Sequence, residues 1–231
     1  MTQGVSVFFP AYNDEASIAA LVADALEVLP RLTEDFEVIV VNDGSTDGTA
    51  RVLEGLARAE PRLRVVQHEA NRGYGAALRT GFAAASKELV FYTDGDGQYD
   101  VRELARLWPL LAEGVDIVNG YKLQRADGWQ RKALGALYNG LAHLLFNIPI
   151  RDVDCDFRLM RRRAVEQVEL VSSSGSICVE LVHKLHRRGF VFAEAAVRHR
   201  PRLHGRSQFF TLSRVGRTAL DLLSLRLQGG S

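Results

Sequence analysis

The sequence predicts an α/β fold with a mainly parallel central sheet and helices on both faces. Short apolar runs alternate with helical patterns through the first half of the chain, which is typical of parallel strands joined by helical crossovers. Polar segments that contain glycine follow several of these runs, as expected at the carboxyl edge of a parallel sheet, where ligands bind. With 231 residues, of which 47% are hydrophobic, the chain is long enough for one large domain.

The predicted strands are short runs rich in β-branched and aromatic residues. In chain order they are Val5–Phe9, Phe36–Val41, Leu63–His68, Glu88–Thr93, Val115–Gly120 and Phe190–Val197. The predicted helices repeat apolar residues at the spacing of a buried helix face. In chain order they are Asp14–Leu29, Thr46–Ala59, Gly75–Ser86, Val101–Glu113, Trp129–Phe146, Val179–Arg188 and Phe209–Leu227. The segment 152–158 is predicted to be irregular.

Charge and cysteine content exclude several classes of protein. The 29 basic and 28 acidic residues nearly cancel, so bulk electrostatic attraction to nucleic acid is not indicated. Basic residues gather between Lys122 and Arg217, which indicates either an anionic ligand on the C-terminal side or a solvated basic face. Cys155 and Cys178 provide neither a disulfide framework nor a metal cluster, and they favour a reducing cytoplasm.

Two carboxylates follow the fourth predicted strand, in the segment Asp94-Gly-Asp-Gly-Gln98. Carboxylate oxygens are hard ligands, and the pair suits Mg²⁺ or Mn²⁺ shared with the phosphates of a substrate. The alternative is an ordinary turn, because Asp-Gly pairs are common turn formers. The other strand ends decide between these two interpretations.

Those strand ends carry polar groups that suit a nucleotide. Pro10 ends the first strand and exposes the residues that follow it. Asp43 follows the second strand, and we expect it either to accept hydrogen bonds from a nucleobase or ribose or to cap the next helix, as Ser45 also would. The glycines of segment 71–77 permit close approach of a ligand at a helix N-terminus, which favours negative charge. That segment is neither a P-loop nor a Rossmann fingerprint, because its glycine spacing and its ending differ from both.

Taken together, these ordered segments resemble the family-2 inverting glycosyltransferases with the A-type nucleotide-sugar fold. Within that family the resemblance is to the dolichyl- and polyprenyl-phosphate sugar transferases, such as dolichol-phosphate mannosyltransferases. It spans roughly residues 4–210. The matching segments are Pro10–Asn13 with Glu15, Val41–Asp47, Asn71–Gly73 with Ala76–Gly81, Asp94–Gln98, Asp156–Leu159 and Arg202–Ser207.

The resemblance implies a donor site for a nucleotide sugar at the strand ends. The residues expected to line it are Pro10, Tyr12, Asn13, Glu15, Asp43, Gly73, Asp94, Arg202 and Ser207. The resemblance also implies a divalent cation, Mg²⁺ or Mn²⁺, bound by Asp94, Asp96 and Gln98, with Asp96 contributing to catalysis. Arg202 and Ser207 would hold the diphosphate from a loop that closes over the donor; the alternative for Arg202 is a solvated loop.

The resemblance places the acceptor in the second half of the chain. Lys122 is expected to meet an acceptor phosphate, with Arg131 as the second candidate. Asp156 is expected to be catalytic, either as a base or as a group that positions other side chains, and Asp154 is its competitor. A lipid phosphate has a second pKa near 6 and is largely ionised already, so that acceptor does not require a strong base.

The expected function is metal-dependent, inverting transfer of a hexose from a UDP- or GDP-sugar to polyprenyl phosphate. A saccharide or small-molecule acceptor and a non-catalytic scaffold of the same fold are the alternatives. The chain departs from the family pattern at Gln208, where many relatives carry Lys, and at Tyr74, where Lys or Leu is common. Many bacterial relatives continue into transmembrane helices, which we do not expect in this sequence.

The expected domain organisation is a catalytic domain, 1–207, with a donor half, 1–121, an acceptor half, 122–207, and an amphipathic tail, 208–231. The sequence carries no signal-peptide pattern and no run of the roughly 20 apolar residues that cross a bilayer. We therefore expect a cytoplasmic protein that is peripheral on the inner face of the membrane, alone or with a membrane-protein partner. Helices Leu134–Ile150 and Phe209–Leu227 would lie in the membrane interface, or else pack in the core or at a dimer face.

Overall fold

The computed structural model describes residues 3–123 and 129–201, together with 221, 225 and 226, and for 129–134 it describes the backbone alone. Within these residues the strands are β1 Val5–Ala11, β2 Phe36–Asn42, β3 Leu63–Gln67, β4 Leu89–Thr93, β5 Ile117–Lys122, β6 Phe157–Arg161 and β7 Phe192–Val197. They form one seven-stranded sheet in the order β3-β2-β1-β4-β6-β5-β7. Neighbouring strands are parallel except at β6, which is antiparallel to β4 and β5. The predicted mainly parallel sheet is confirmed.

Helices cover both faces of this sheet. They are α1 Ile18–Val28, α2 Thr49–Ala59, α3 Tyr74–Ala84, α4 Leu104–Leu107, α5 Trp129–Phe146, α6 Arg162–Val165 and α7 Ile177–Arg187. Side chains of β1 alternate between the faces: Phe9 packs in the cluster that contains Leu21 of α1, and Phe8 packs in the cluster that contains Leu78 of α3. This alternation is the two-residue period of a strand buried on both sides, and the predicted helices on both faces are confirmed.

A third apolar cluster joins α5 to α7. Ala142 and Phe146 of α5 pack with Val179 and Val182 of α7, and Leu225 of the C-terminal segment joins them. Residues 221, 225 and 226 are helical. The rest of the predicted helix Phe209–Leu227 lies outside the described residues. Among the helices that the structure describes, none combines the length and the apolar character needed to cross a membrane.

Two predicted elements differ from the structure. Part of the segment predicted to be irregular belongs to β6, which begins at Phe157. The alternation of β6 was hidden because Arg158, a charged residue, occupies a fully buried position in it. The predicted helix Val101–Glu113 is broken into a 3₁₀ turn, the one-turn helix α4 and a second 3₁₀ turn, Trp108–Leu110, that contains Pro109. Proline removes a hydrogen-bond donor and disfavours continuation of an α-helix.

Candidate active site

The carboxyl ends of β1, β2 and β4 meet at one edge of the sheet, which we call the carboxyl edge. The loop after β1 is tied to the loop after β2, since the Asn13 amide donates to Ser45 Oγ at 3.0 Å and the Thr46 amide donates to Asn13 Oδ1 at 2.8 Å. The loop after β4 is tied to β1, since the Gly95 amide donates to the Pro10 carbonyl at 3.2 Å. Pro10 lies beyond the last β1–β4 pair, which joins Phe8 and Tyr92.

The segment Asp94-Gly-Asp96 forms a turn that leaves both carboxylates partly exposed at the carboxyl edge. The Tyr74 hydroxyl donates to Asp94 Oδ1 at 2.7 Å, and the Gln98 amide donates to Asp96 Oδ1 at 3.0 Å. Glycine is required between them because a Cβ at Gly95 would lie 2.7 Å from the Pro10 carbonyl oxygen. The turn therefore leaves the two carboxylates accessible at the carboxyl edge. The segment can be an Asp-Gly turn and also a pair of cation ligands, so the two interpretations do not exclude each other.

The donor set at this turn fits a cation that is shared with a ligand. In the described part of the chain, no group of three or more His, Cys, Asp or Glu side chains is arranged to hold a metal. Mg²⁺ is commonly bound by one or two carboxylates together with substrate phosphates and water, and the pair Asp94 and Asp96 is compatible with that arrangement. Their binding of a cation stays a prediction. The Gln98 side-chain amide donates to the Arg200 carbonyl at 3.0 Å. Its predicted role as a ligand stays a prediction.

Asp43 is buried at the end of β2, with 3% of its surface exposed. Its carboxylate accepts hydrogen bonds from the Arg72 and Gly73 amides, both at 2.9 Å, and contacts His68 Nδ1 at 2.6 Å. It therefore holds the turn that leads into α3. The predicted alternative, a cap on the helix after β2, is wrong: the α2 start is held by Asp47 and Glu15, which accept from the Thr49 and Gly48 amides.

Tyr12 and Glu15 lie in the loop after β1. The Tyr12 amide donates to Asp14 Oδ2 at 3.0 Å, and the Tyr12 side chain is partly exposed. Glu15 accepts from the Gly48 amide at 2.9 Å and forms an ion pair with Arg51 at 3.2 Å. Glu15 thus links the β1 loop to α2, and its predicted contact with a nucleotide stays a prediction.

Gly73 and Gly75 at the start of α3 pack against the chain itself. A Cβ at Gly75 would overlap the Ser172 carbonyl, and one at Gly73 would lie 2.8 Å from the Ser173 carbonyl oxygen. Gly73 also has a positive φ of 91°, which other residues rarely adopt. The Gly75 amide donates to the Ser173 carbonyl at 3.0 Å. These glycines are therefore explained by close backbone packing, without a ligand.

Asp156 is surrounded by buried polar groups from three elements. Cys178 of α7 donates from Sγ to Asp156 Oδ1 at 3.0 Å, and the Tyr92 hydroxyl of β4 lies 3.4 Å from the same oxygen. The Arg158 guanidinium of β6 lies 3.8 Å from it. Burial raises the pKa values of the Cys178 thiol and the Tyr92 phenol well above their usual ranges, so both stay protonated. We call Tyr92, Arg158 and Cys178 the buried layer.

Lys122 lies at the end of β5 with its side chain almost buried, 6% exposed. Its ammonium donates to the Asp154 carbonyl and lies 3.3 Å from Asp154 Oδ2 and 3.9 Å from Asp152 Oδ1. Two carboxylates therefore offset its charge.

The hydroxyl of Tyr138, on α5, is buried and has no hydrogen-bond partner within the described residues.

Three predicted site residues fall outside what the structure describes. Arg202 and Ser207 lie outside the described residues, as does the side chain of Arg131. The segment before Arg202 is described: the Arg200 amide donates to the Gln98 carbonyl at 2.8 Å. The chain therefore reaches residue 201 from beside the Asp94–Gln98 turn.

Sequence reasoning missed the side chains that hold the predicted site residues. Tyr74 departs from the family pattern, and no sequence signal predicts its contact with Asp94. The sequence predicts no role for Arg158 or Tyr92. An arginine inside an apolar strand run, Phe157–Met160, is a signal that would have found Arg158, because a buried charge requires a partner.

Comparison with known proteins identifies sequence relatives of this chain. Residues 6–169 match the profile of the family described as Glycosyl transferase family 2. The chain is 31% identical over 207 residues to the undecaprenyl-phosphate 4-deoxy-4-formamido-L-arabinose transferase of Aeromonas hydrophila, covering 89% of this chain and 62% of that protein. It is 30% identical over 222 residues to the transferase of the same name from Proteus mirabilis, covering 95% and 67%. The chain thus spans about two thirds of the length of these relatives.

Solved structures resemble the fold over nearly the whole chain. One is glucosyl-3-phosphoglycerate synthase from Mycobacterium tuberculosis in complex with Mn²⁺, uridine diphosphate and phosphoglyceric acid. It has a TM-score of 0.77 at 22% identity, and the match covers 97% of this chain and 78% of that one. The same enzyme in complex with Mn²⁺ and UDP-glucose has a TM-score of 0.73 at 22% identity, covering 97% and 79%. This likeness confirms the predicted A-type glycosyltransferase fold.

Proposed function

Since this chain belongs to glycosyl transferase family 2, we propose that it transfers a sugar from a nucleoside-diphosphate donor to a polyprenyl phosphate. One observation carries the proposal. Asp94 and Asp96 lie partly exposed at the carboxyl edge, in a chain that is 31% identical to an undecaprenyl-phosphate sugar transferase. The sugar is a hexose, as the resemblance implies, or an aminopentose like the one in that relative's name.

The donor would lie at the carboxyl edge, with its diphosphate facing Asp94 and Asp96. A bound Mg²⁺ or Mn²⁺ would act as a Lewis acid that neutralises charge on the departing diphosphate. A Mn²⁺ ion and uridine diphosphate in a protein of the same fold support this assignment. Tyr74 holds one Asp94 oxygen at 2.7 Å, and burial raises the pKa of its phenol, with the charges of Asp156 and Asp94 adding to the effect. The phenol therefore stays a donor and orients Asp94.

The acceptor would approach between Asp156 and the end of β5. Inversion requires attack on the anomeric carbon from the side opposite the leaving diphosphate. A phosphate acceptor is already ionised at neutral pH, so Asp156 would orient neighbouring groups and would not need to remove a proton. The buried Tyr138 hydroxyl, which has no partner among the described residues, would donate to the acceptor, because a buried donor gains from an added acceptor.

An exposed leucine face on α5 supports a peripheral contact with the membrane that holds such a lipid. Leu137, Leu141 and Leu144 are 60%, 41% and 81% exposed, and their spacing puts them on one side of the helix. The other side of α5 packs against α7 through Ala142 and Phe146. An apolar helix face beside a lipid-phosphate site suits the membrane interface; we place that contact on the cytoplasmic face.

A hydroxyl acceptor is the second candidate, and the surroundings of Lys122 favour it. The Lys122 charge is offset by Asp152 and Asp154, which lowers its attraction for an acceptor phosphate. An alcohol acceptor must lose a proton as it attacks, and Asp156 would then serve as general base.

A donor-by-acceptor screen tests the proposal. Purified protein is incubated with UDP- and GDP-linked sugars, with Mn²⁺ or EDTA, and with undecaprenyl phosphate or soluble saccharides. We expect release of nucleoside diphosphate that requires both the cation and the lipid phosphate. Transfer to a saccharide with undecaprenyl phosphate ignored would establish the second candidate. Asp156→Asn would then abolish transfer while donor binding, measured by calorimetry, survives.

A further inference from the structure

Arg158 is the largest side chain in the described part of the protein that is completely buried. Moving a guanidinium out of water is costly unless opposite charge and hydrogen-bond acceptors surround it. Its Nε donates to Asn119 Oδ1, one terminal nitrogen donates to the Tyr92 hydroxyl, and the other donates to the Val153 carbonyl. The guanidinium is therefore held in one orientation from three sides.

Asp156 supplies the opposite charge. Among the residues that the structure describes, it is the one carboxylate within 4.0 Å of the Arg158 guanidinium, at 3.8 Å. That distance is too long for a hydrogen bond, and Tyr92 bridges the gap. Its hydroxyl accepts from Arg158 and lies 3.4 Å from Asp156 Oδ1. Since the hydroxyl accepts from Arg158, its own hydrogen is free to point toward Asp156.

Cys178 holds the same Asp156 oxygen from α7, at 3.0 Å. Three groups therefore surround one oxygen of the Asp156 carboxylate. They are the thiol of Cys178 on α7, the hydroxyl of Tyr92 on β4 and the charged guanidinium of Arg158 on β6. A carboxylate on a surface turn would have none of these supports. The arrangement is the kind that fixes a functional side chain in one geometry.

We propose that Arg158 is a positioning residue for Asp156, acting through Tyr92 and through its buried charge. This proposal rests on the proposed function, since it assigns to Asp156 a role in sugar transfer. Arg158 itself contacts no substrate. Its loss would leave Asp156 in place but free to rotate, which lowers the rate of transfer and leaves donor binding intact.

A double-mutant cycle between Arg158 and Asp156 tests the proposal. The variants Arg158→Gln, Asp156→Asn and the double variant are compared with wild type for kcat and for the donor KM. We expect Arg158→Gln to lower kcat by about 10- to 100-fold, as is common for residues that orient a functional group. The donor KM should stay within about threefold of wild type, because ground-state donor binding is unchanged. In the Asp156→Asn background the same change should cost less than about threefold, because groups that act as a unit are not additive.

Matched controls separate this role from a general loss of stability. Arg161→Gln changes another arginine of β6, which donates to backbone carbonyls of Val115, Leu111 and Ala112, and we expect its kcat to stay within about twofold of wild type. Arg158→Lys keeps the positive charge but loses the planar guanidinium with its several N–H donors. Its kcat should lie between those of Arg158→Gln and wild type. If Arg158→Gln does not fold, Tyr92→Phe removes only the bridging hydroxyl, and the same cycle is run with it.

Equal losses from Arg158→Gln in both backgrounds would overturn the proposal, as would a rise in the donor KM that matches the fall in kcat. If wild type transfers sugar to a soluble acceptor and ignores undecaprenyl phosphate, the proposed function fails. Because Asp156→Asn is then expected to be inactive, kcat on that soluble acceptor is compared among wild type, Arg158→Gln, Arg158→Lys and Arg161→Gln, and a fall in kcat at Arg158 without a rise in the donor KM still supports its role. The same four proteins also give a coupling in urea unfolding, which needs no acceptor, and absence of coupling there would contradict the proposal.

Discussion

The carboxyl edge and the surroundings of Asp156 are built in different ways. At the carboxyl edge, main-chain amides hold Asp43 and Asp96, and glycines let the loops pack closely. Around Asp156, side chains from distant parts of the chain provide the contacts, and one of them is a buried cation. The comparison shows why the edge has local sequence motifs while the buried layer is dispersed along the chain.

The difference also predicts how each region fails. Hydrogen bonds from the main chain survive most substitutions. The structure of the carboxyl edge is therefore sensitive mainly to changes of its carboxylates and its glycines. The buried layer depends on charge and on the volume of side chains, so it is sensitive to changes far from any substrate.

Asp96→Asn should cause the largest loss. It removes one of the two carboxylates that face the proposed cation, and we expect kcat to fall by about 100- to 1000-fold, the scale for loss of an electrostatic group at developing charge. Binding of Mn²⁺ in the presence of nucleoside diphosphate, measured by calorimetry, should weaken in parallel. Asp24→Asn, which changes a carboxylate of α1 paired with Arg102, is the control. Full activity of Asp96→Asn would remove the carboxyl edge from the mechanism.

Replacing Leu137, Leu141 and Leu144 by Ser should weaken membrane binding without unfolding the protein. Burial of a leucine side chain contributes about 1.5–3 kcal/mol when complete. We expect the membrane to bury each of the three leucines in part, so their replacement should lower vesicle binding by at least about tenfold. Co-sedimentation with vesicles of phosphatidylglycerol and phosphatidylethanolamine measures this. The control replaces Val171 and Val191, which are also exposed, by Ser. If both proteins bind vesicles equally, the α5 face is not the membrane contact.

Gly75→Ala should destabilise the carboxyl edge, because the added Cβ overlaps the Ser172 carbonyl. Overpacking of this kind costs about 1–3 kcal/mol, which denaturant unfolding will measure. Gly55→Ala is the matched control in α2, where a Cβ would meet nothing within 4 Å. Since alanine favours a helix interior over glycine, this control should stabilise the protein by up to about 1 kcal/mol. Equal effects at both positions would show that close packing does not require Gly75.

Glu180→Gln should have the smallest effect, and that effect should depend on pH. The Glu180 side chain is buried and accepts from the Val171 and Ser172 amides and from Lys184. Burial opposes ionisation, but these hydrogen bonds, the one from Lys184 first among them, lower its pKa below the ordinary 4.5. The ionised group therefore stabilises the fold above pH 4.5, and this contribution is lost as the pH falls through the lowered pKa.

We expect Glu180→Gln to cost about 1–2 kcal/mol at pH 7, as measured by urea unfolding. The difference between the two proteins should narrow as the pH falls below 4.5. A difference that is constant from pH 7 to pH 3 would show that Glu180 contributes by packing alone. Because Ser172 packs against Gly75, this variant also tests whether α7 supports the carboxyl edge.

Much of the fold could be predicted from the sequence, and the exceptions have physical reasons. Parallel strands read as continuous apolar runs, so β1, β2 and β4 were predicted. The antiparallel strand β6 was not, because Arg158 interrupts its pattern. The helix predicted over 101–113 is broken near Pro109, and this proline is the signal in the sequence for the break. The prediction of the family is confirmed.

The candidate site was predictable where its residues follow strands directly. Asp94 and Asp96 lie where the strand-end rule puts them. The partners of Asp43 were not predictable, because its contacts with His68, Arg72 and Gly73 depend on how the turn before α3 folds back. Contacts between Asp156 and Tyr92 or Cys178 join positions 64 and 22 residues apart, and no local pattern signals them.

Transfer of labelled sugar to a lipid tests the central claim most directly. Wild type and Asp96→Asn are incubated with labelled nucleotide sugar, Mn²⁺ and either undecaprenyl phosphate or undecaprenol, and the label that moves into the organic phase is counted. We predict that label enters the organic phase only when wild type is given undecaprenyl phosphate, since the phosphate is the nucleophile. Equal transfer to undecaprenol, or label that appears only on soluble saccharides, would contradict the account.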